Sequence, residues 1–207
     1  MPRTDSFPAS KASAEPLVYS PVARALHWTV ATLVLITAPV GFIMVDRSGH
    51  KFADGVSDTV KAAYTATTDQ MFSTHKLIGM TILALMIARW AYRLSHGAPK
   101  SEPTLEPWQK GLSHAVHWSL YVLLLGVPIG GYIGIALYPA LDIFGMKFPS
   151  FGIASNEKLA EQVFKLHGWG ATVILGLVAL HFGGAMFHLF VKGDGVVARM
   201  WPGILKK

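Results

Sequence analysis

His167 and His181 stand 14 residues apart within one apolar run, VFKLHGWGATVILGLVALHFGGAMFHLFV, at positions 163–191. Fourteen residues is close to four helical turns, so both imidazoles leave one face of a helix, roughly 21 Å apart along its axis. One metal ion cannot use both. Two metal centres, one near each surface of a membrane, can. A third histidine, His188, lies in the same run. Ionisable side chains at membrane depth are rare and read as functional by default.

The rest of the chain must position these groups. With 207 residues, a mean hydropathy of +0.41, 52% hydrophobic residues and 14% charged, the composition is that of a membrane protein. Cysteine is absent, which excludes thiolate-held iron–sulfur clusters, disulfides and covalent C-x-x-C-H haem attachment. The net charge of +6 has no basic, aromatic-rich segment outside the apolar runs, so no nucleic acid is expected as a partner. Residues 1–20 read as a flexible polar tail without the apolar core of a secretory signal. Ser20 and Pro21 form an N-cap and first helical position.

Hydropathy predicts an all-α membrane protein, a four-transmembrane-helix bundle with spans at about 22–45, 71–94, 112–137 and 163–191. One domain covers 21–202, and 203–207 is a short basic tail. Residues 46–70 read as a polar connection, 96–110 as a surface loop, and 138–162 as a loop with a short amphipathic helix over SNEKLAEQ. No internal repeat is obvious. Gly126, Gly130 and Gly134 form a small-residue stripe suited to close packing of a helix or cofactor. Four spans put both termini on one side, which carries 11 basic and five acidic residues, against seven and seven on the other. The positive-inside rule makes the termini cytoplasmic.

That orientation sorts the histidines by depth. His27, early in the first span, lies level with His181 near the inner face; His75, early in the second, lies level with His167 near the outer face. Each pair draws on two helices, as bis-histidine ligation of a haem iron in a helix bundle requires. A lone intramembrane histidine is more often an interhelical hydrogen-bonding residue than a ligand. The matched depths, and glycines at 79, 168, 170, 183 and 184 that admit a flat cofactor, favour ligation for these four. His114, His117 and His188 read as polar surroundings of the inner site, toward a quinone or a propionate; His50 and His96 are assigned no role. Trp28, Trp90, Trp108, Trp118 and Trp169 read as interfacial belts.

YSPVARALHW, FSTHKLIGMTILALMIARWAYRL, GLSHAVHWSLYVLLLGVPIGGYIG and KLHGWGATVILGLVALHFGGAMFHLF resemble the four spans of the prokaryotic cytochrome b561 family, over roughly residues 19–202. The R-x-x-H-W opening, the histidine near the start of span two and the paired histidines of span four carry the likeness. The resemblance implies two haem b groups, held by His27 with His181 (inner) and His75 with His167 (outer). It implies a multi-pass protein of the bacterial inner membrane that exchanges electrons with ubiquinone. Some members oxidise superoxide at the outer face, and Lys76 and Lys165 are the cations near that haem. No catalytic residue is assigned. An alternative is the cytochrome b subunit of a dehydrogenase or hydrogenase, with a partner redox protein. A non-redox, His-lined metal transporter is the alternative of another class; the lack of Asp or Glu in the four spans speaks against it.

Overall fold

The computed structural model describes residues 18–202 and 204, so the tail at 1–17 and most of 203–207 lie outside the described residues. Four long helices dominate: α1 (Pro21–Ser48), α2 (Asp58–His96), α3 (Pro107–Leu137) and α4 (Glu157–Phe187). All four are long and apolar enough to cross a membrane. A two-stranded hairpin, β1 (Asp142–Ile143) with β2 (Met146–Lys147), interrupts the connection from α3 to α4. Beyond α4 a single π turn (His188–Lys192) ends on Gly193 at φ 61°, and a 3-10 turn (Val197–Arg199) follows. Glycine suits that left-handed position because a Cβ would crowd the backbone there.

The starts follow local chemistry. Ser20 Oγ accepts from Ala23 N, with Pro21 at the first helical position; Ser57 Oγ accepts from Val60 N; Asn156 Oδ1 accepts from Leu159 N. At α3, Glu106 N donates to Gln109 Oε1.

Two connections differ from the sequence reading. The second helix begins at Asp58, so much of the polar 46–70 segment is helix. Its alanine-rich stretch favours helix wherever packing holds it. Arg47 supplies that packing, donating to Thr68 Oγ1 and Tyr64 O and stacking 3.7 Å from the Tyr64 ring centre. The polar SNEKLAEQ run is not a separate amphipathic helix, because Asn156 caps it directly as the first turns of α4.

Helices pack in chain order, α1 on α2, α2 on α3 and α3 on α4. The buried core lies at mid-height and draws on every helix: Val30 and Val34, Ile82 and Met86, Tyr121, and Ile174. Ile174 stands midway between His167 and His181 in sequence. The apolar plug therefore separates two levels of histidines and keeps the space between them dry.

Both ends of the described chain meet at one end of the bundle. Tyr19 N donates to Arg199 O, Trp28 Nε1 donates to Met200 O, and Trp28 packs edge-on to Trp201. Trp28 thus serves as a clamp on the C-terminal segment. Trp90, Trp108, Trp118 and Trp169 are exposed, as membrane-facing aromatics would be.

Candidate functional site: two levels of facing histidines

His27 on α1 and His181 on α4 lie with ring centroids 6.1 Å apart and planes crossing at 78°. At the other level His75 on α2 and His167 on α4 lie 5.9 Å apart at 74°. The first pair is at the end of the bundle where the termini meet; the second is at the far end, beside the hairpin. A metal–imidazole bond is about 2 Å long, so two histidines on opposite sides of one iron hold their ring centroids roughly 6 Å apart. Both pairs fit that spacing. Among the described residues, no group of three or more His, Asp or Glu is placed to hold a bare metal ion.

The far pair is further prepared. His167 Nδ1 lies 2.8 Å from Val127 O, and His75 Nδ1 lies 3.1 Å from Thr37 O and 3.2 Å from Thr37 Oγ1. A carbonyl can only accept, so Nδ1 carries the proton in both rings and Nε2 keeps its lone pair. That tautomer presents Nε2 to a metal, and the carbonyl bond orients the ring. On either side of His75 in sequence, Ser73 Oγ accepts from Phe144 N, and Lys76 Nζ donates to Ala140 O at 2.7 Å and Asp142 O at 3.0 Å. These bonds tie the hairpin to α2 next to the site.

The termini-side pair has different surroundings. Among the described residues, no hydrogen bond reaches the ring nitrogens of His27 or His181. His117 joins them, its ring centroid 4.9 Å from that of His181 and its Nδ1 bonded to Ser113 O. Arg89 donates to Ala23 O, one turn before His27, and Arg89 and Arg93 lie 5.8 and 5.7 Å from the Tyr121 ring centre. Arg24, three residues before His27, has a buried Nε with no hydrogen-bond partner among the described residues. An orphaned buried guanidinium nitrogen is costly. A carboxylate arriving with a cofactor, such as a haem propionate, would satisfy it, so this chain's residues fit that group.

The remaining expected residues are spread out. His188 Nδ1 lies 2.6 Å from Asp194 Oδ2 in a buried pair, and Asp194 also accepts from Thr104 Oγ1 and Val196 N. His114 is exposed. His50 packs against Phe52 and Tyr64, and His96 stacks on Tyr92. Lys165 pairs with Glu161 at 2.8 Å in the open.

The glycines divide unexpectedly. Gly79, Gly168, Gly183 and Gly184 face open space, as a flat cofactor would need, whereas a Cβ on Gly170 would strike Val127. Within the stripe, Gly134 packs on Phe164, while Gly126 and Gly130 meet nothing within 4 Å. Gly41, which with Pro39 reads from sequence only as a place for a kink, and Gly131, one of the glycines around Pro128, lie directly against His75 and His167. Only the cross-helix contact reveals them.

Four membrane-length helices carrying facing histidine pairs define a class, the membrane cytochromes that hold haem between their helices. The model of the prokaryotic cytochrome b561 family matches residues 18–203, and the chain belongs to that family. It is accordingly a haem b-binding bacterial membrane cytochrome of the electron-transfer kind. Similar curated proteins include "Probable superoxide oxidase CybB" of Yersinia pestis, 28% identical over 89% of this chain and 96% of the relative. "Cytochrome b561 homolog 1" of Escherichia coli (strain K12) is 26% identical over 86% of this chain and 93% of its own length. "Cytochrome b561 homolog 2" of the same strain is 26% identical over 88% and 90%.

Proposed function

We propose that the protein carries electrons across the bacterial inner membrane through two haem b groups, between an outer donor and the quinone pool. His27 and His181 hold one group and His75 and His167 the other; each group, when bound, supplies a one-electron carrier. The observation that carries this reading is the pair of ring separations, 6.1 and 5.9 Å, at two levels of one bundle. With the termini cytoplasmic, as the excess of Lys and Arg on that side favours, the far pair faces outward.

The chain's own residues have defined tasks. Thr37 O and Val127 O hold the Nδ1 protons of His75 and His167, so that Nε2 is the ligand atom. Arg24, Arg89 and Arg93 offer positive charge to propionates at the inner level. The mid-height plug of Val30, Val34, Ile82, Met86, Tyr121 and Ile174 excludes water between the levels. As donor we propose superoxide, in keeping with the name of the Yersinia pestis relative. Two superoxide anions give one electron each and leave as dioxygen; with two protons, one quinone becomes quinol.

The test is a redox-titrated visible spectrum of the purified protein with haem quantified per chain. Two b haems are expected, falling to one in His75→Ala or His167→Ala with loss of superoxide-driven quinone reduction. Two haems and full activity in both variants would sink the assignment. Copurification of a large metalloenzyme subunit would instead favour a cytochrome b subunit of a dehydrogenase or hydrogenase.

A further inference from the structure

The far site is built twice from one device. On α1, the carbonyl of Thr37 and the bare Cα of Gly41, four residues on, receive the edge of His75 from α2. On α3, the carbonyl of Val127 and Gly131, again four residues on, receive His167 from α4. A Cβ at Gly41 would stand 2.8 Å from His75 Cε1, and one at Gly131 would stand 2.9 Å from His167 Cε1. Both are closer than real side chains approach. In each helix a proline lies between the carbonyl and the glycine, Pro39 in α1 and Pro128 in α3. The two segments, TAPVG and VPIGG, share too little for the repeat to show in sequence.

We propose that Gly41 and Gly131 are positioning residues that seat both far imidazoles on backbone carbonyls, and that this seating gives the far haem the lower reduction potential; the inference rests on the two-haem reading above. An Nδ1 proton held by a carbonyl makes the imidazole a more basic ligand, which favours ferric over ferrous iron. Among the described residues, the termini-side ligands have no such bond. There Arg24 lies three residues before His27, Arg89 donates to Ala23 O one turn before it, and Arg93 stands beside Tyr121. Three guanidinium charges exceed the two of a haem's propionates, and the surplus positive charge disfavours the ferric state, which carries one more positive charge. The two effects act in opposite directions at the two levels. Electrons therefore run downhill from the far level to the termini side, which is inward if the termini are cytoplasmic.

The experiment uses the full-length, haem-loaded protein in detergent and reads haem content and both potentials. Wild type is expected to titrate in two waves, and His75→Ala to lose the lower one. Gly131→Ala is expected to keep its haem and move the lower wave upward while the upper stays in place, because the added Cβ lifts His167 off Val127 O. A merely structural role for Gly131 would change haem retention or stability and leave the lower potential where it was. Loss of the upper wave in His75→Ala, or an unmoved lower wave in Gly131→Ala, overturns the proposal and leaves the two-haem reading standing. If Gly131→Ala does not assemble, the wave lost in His75→Ala still decides. Fewer than two haems in wild type overturns both readings.

Discussion

The two histidine levels are alike in spacing and unlike in everything that holds them. At the far level each ring is locked from behind: a carbonyl takes its Nδ1 proton and a glycine leaves no room beside it. At the termini-side level neither facing ring has a hydrogen bond among the described residues; a third imidazole and a set of arginines crowd the pair instead. A locked ring defines one geometry and one tautomer. A ring among fixed charges sits in a defined electrostatic environment. The contrast suits two sites with different work, one holding its ligands in a fixed geometry and the other surrounded by charged and protonatable groups.

The largest effect that can break this contrast is at His181. The histidine has two imidazole neighbours, His27 at 6.1 Å and His117 at 4.9 Å, and only the longer separation fits ligands on opposite sides of one iron. His181→Ala should reduce haem content from two per chain to one, measured by pyridine haemochrome against protein. His117→Ala should keep both haems and alter the band shape of one. If His117→Ala loses a haem and His27→Ala does not, then His117 is the ligand and the termini-side pair is misassigned.

That rivalry marks where sequence reasoning ran out. The four spans were legible because each is a long apolar run, and the two levels because 14 residues return a side chain to one face. Whether His27 or His117 faces His181 depends on how α1 and α3 are rotated, which no spacing within one helix records. The seats at Gly41 and Gly131 were hidden for the same reason, since each exists only where a ring from a neighbouring helix arrives. The extra turns at the start of α2 were missed because their polarity reads as a loop. Their order comes from Arg47, whose partners lie 17 and 21 residues away.

A middle-sized effect should come from the segment that closes the termini side. Asp194 and His188 have side chains only 7% and 12% exposed, and the same carboxylate takes Thr104 Oγ1 and Val196 N. Asp194→Ala leaves the His188 ring and Val196 N without their acceptor, while Thr104 turns to water, at a cost of about 2–3 kcal/mol. The expected result is a lower unfolding midpoint and faster proteolysis after α4, with earlier loss of haem from the termini-side level than from the far level on heating. Equal loss of both haems would show that the C-terminal segment serves the whole bundle rather than the termini-side site.

The smallest effects belong to the far face, where Lys76 and Lys165 are among the cations an anionic donor would meet. Lys165 is paired with Glu161 in the open, and exposed pairs contribute little and are screened by salt. Lys76 is committed to Ala140 O and Asp142 O, so its ammonium is directed at the hairpin rather than at solvent. Lys165→Gln should therefore change the superoxide-driven rate by less than about twofold at moderate ionic strength. Lys76→Gln should do slightly more, through the hairpin's position and not through lost attraction, so its effect should be independent of salt. A rate that falls steeply with salt in wild type and flattens in Lys76→Gln would mean the opposite: that the far site steers its donor by charge, and that the lysine's bonds to the hairpin are a resting place between encounters.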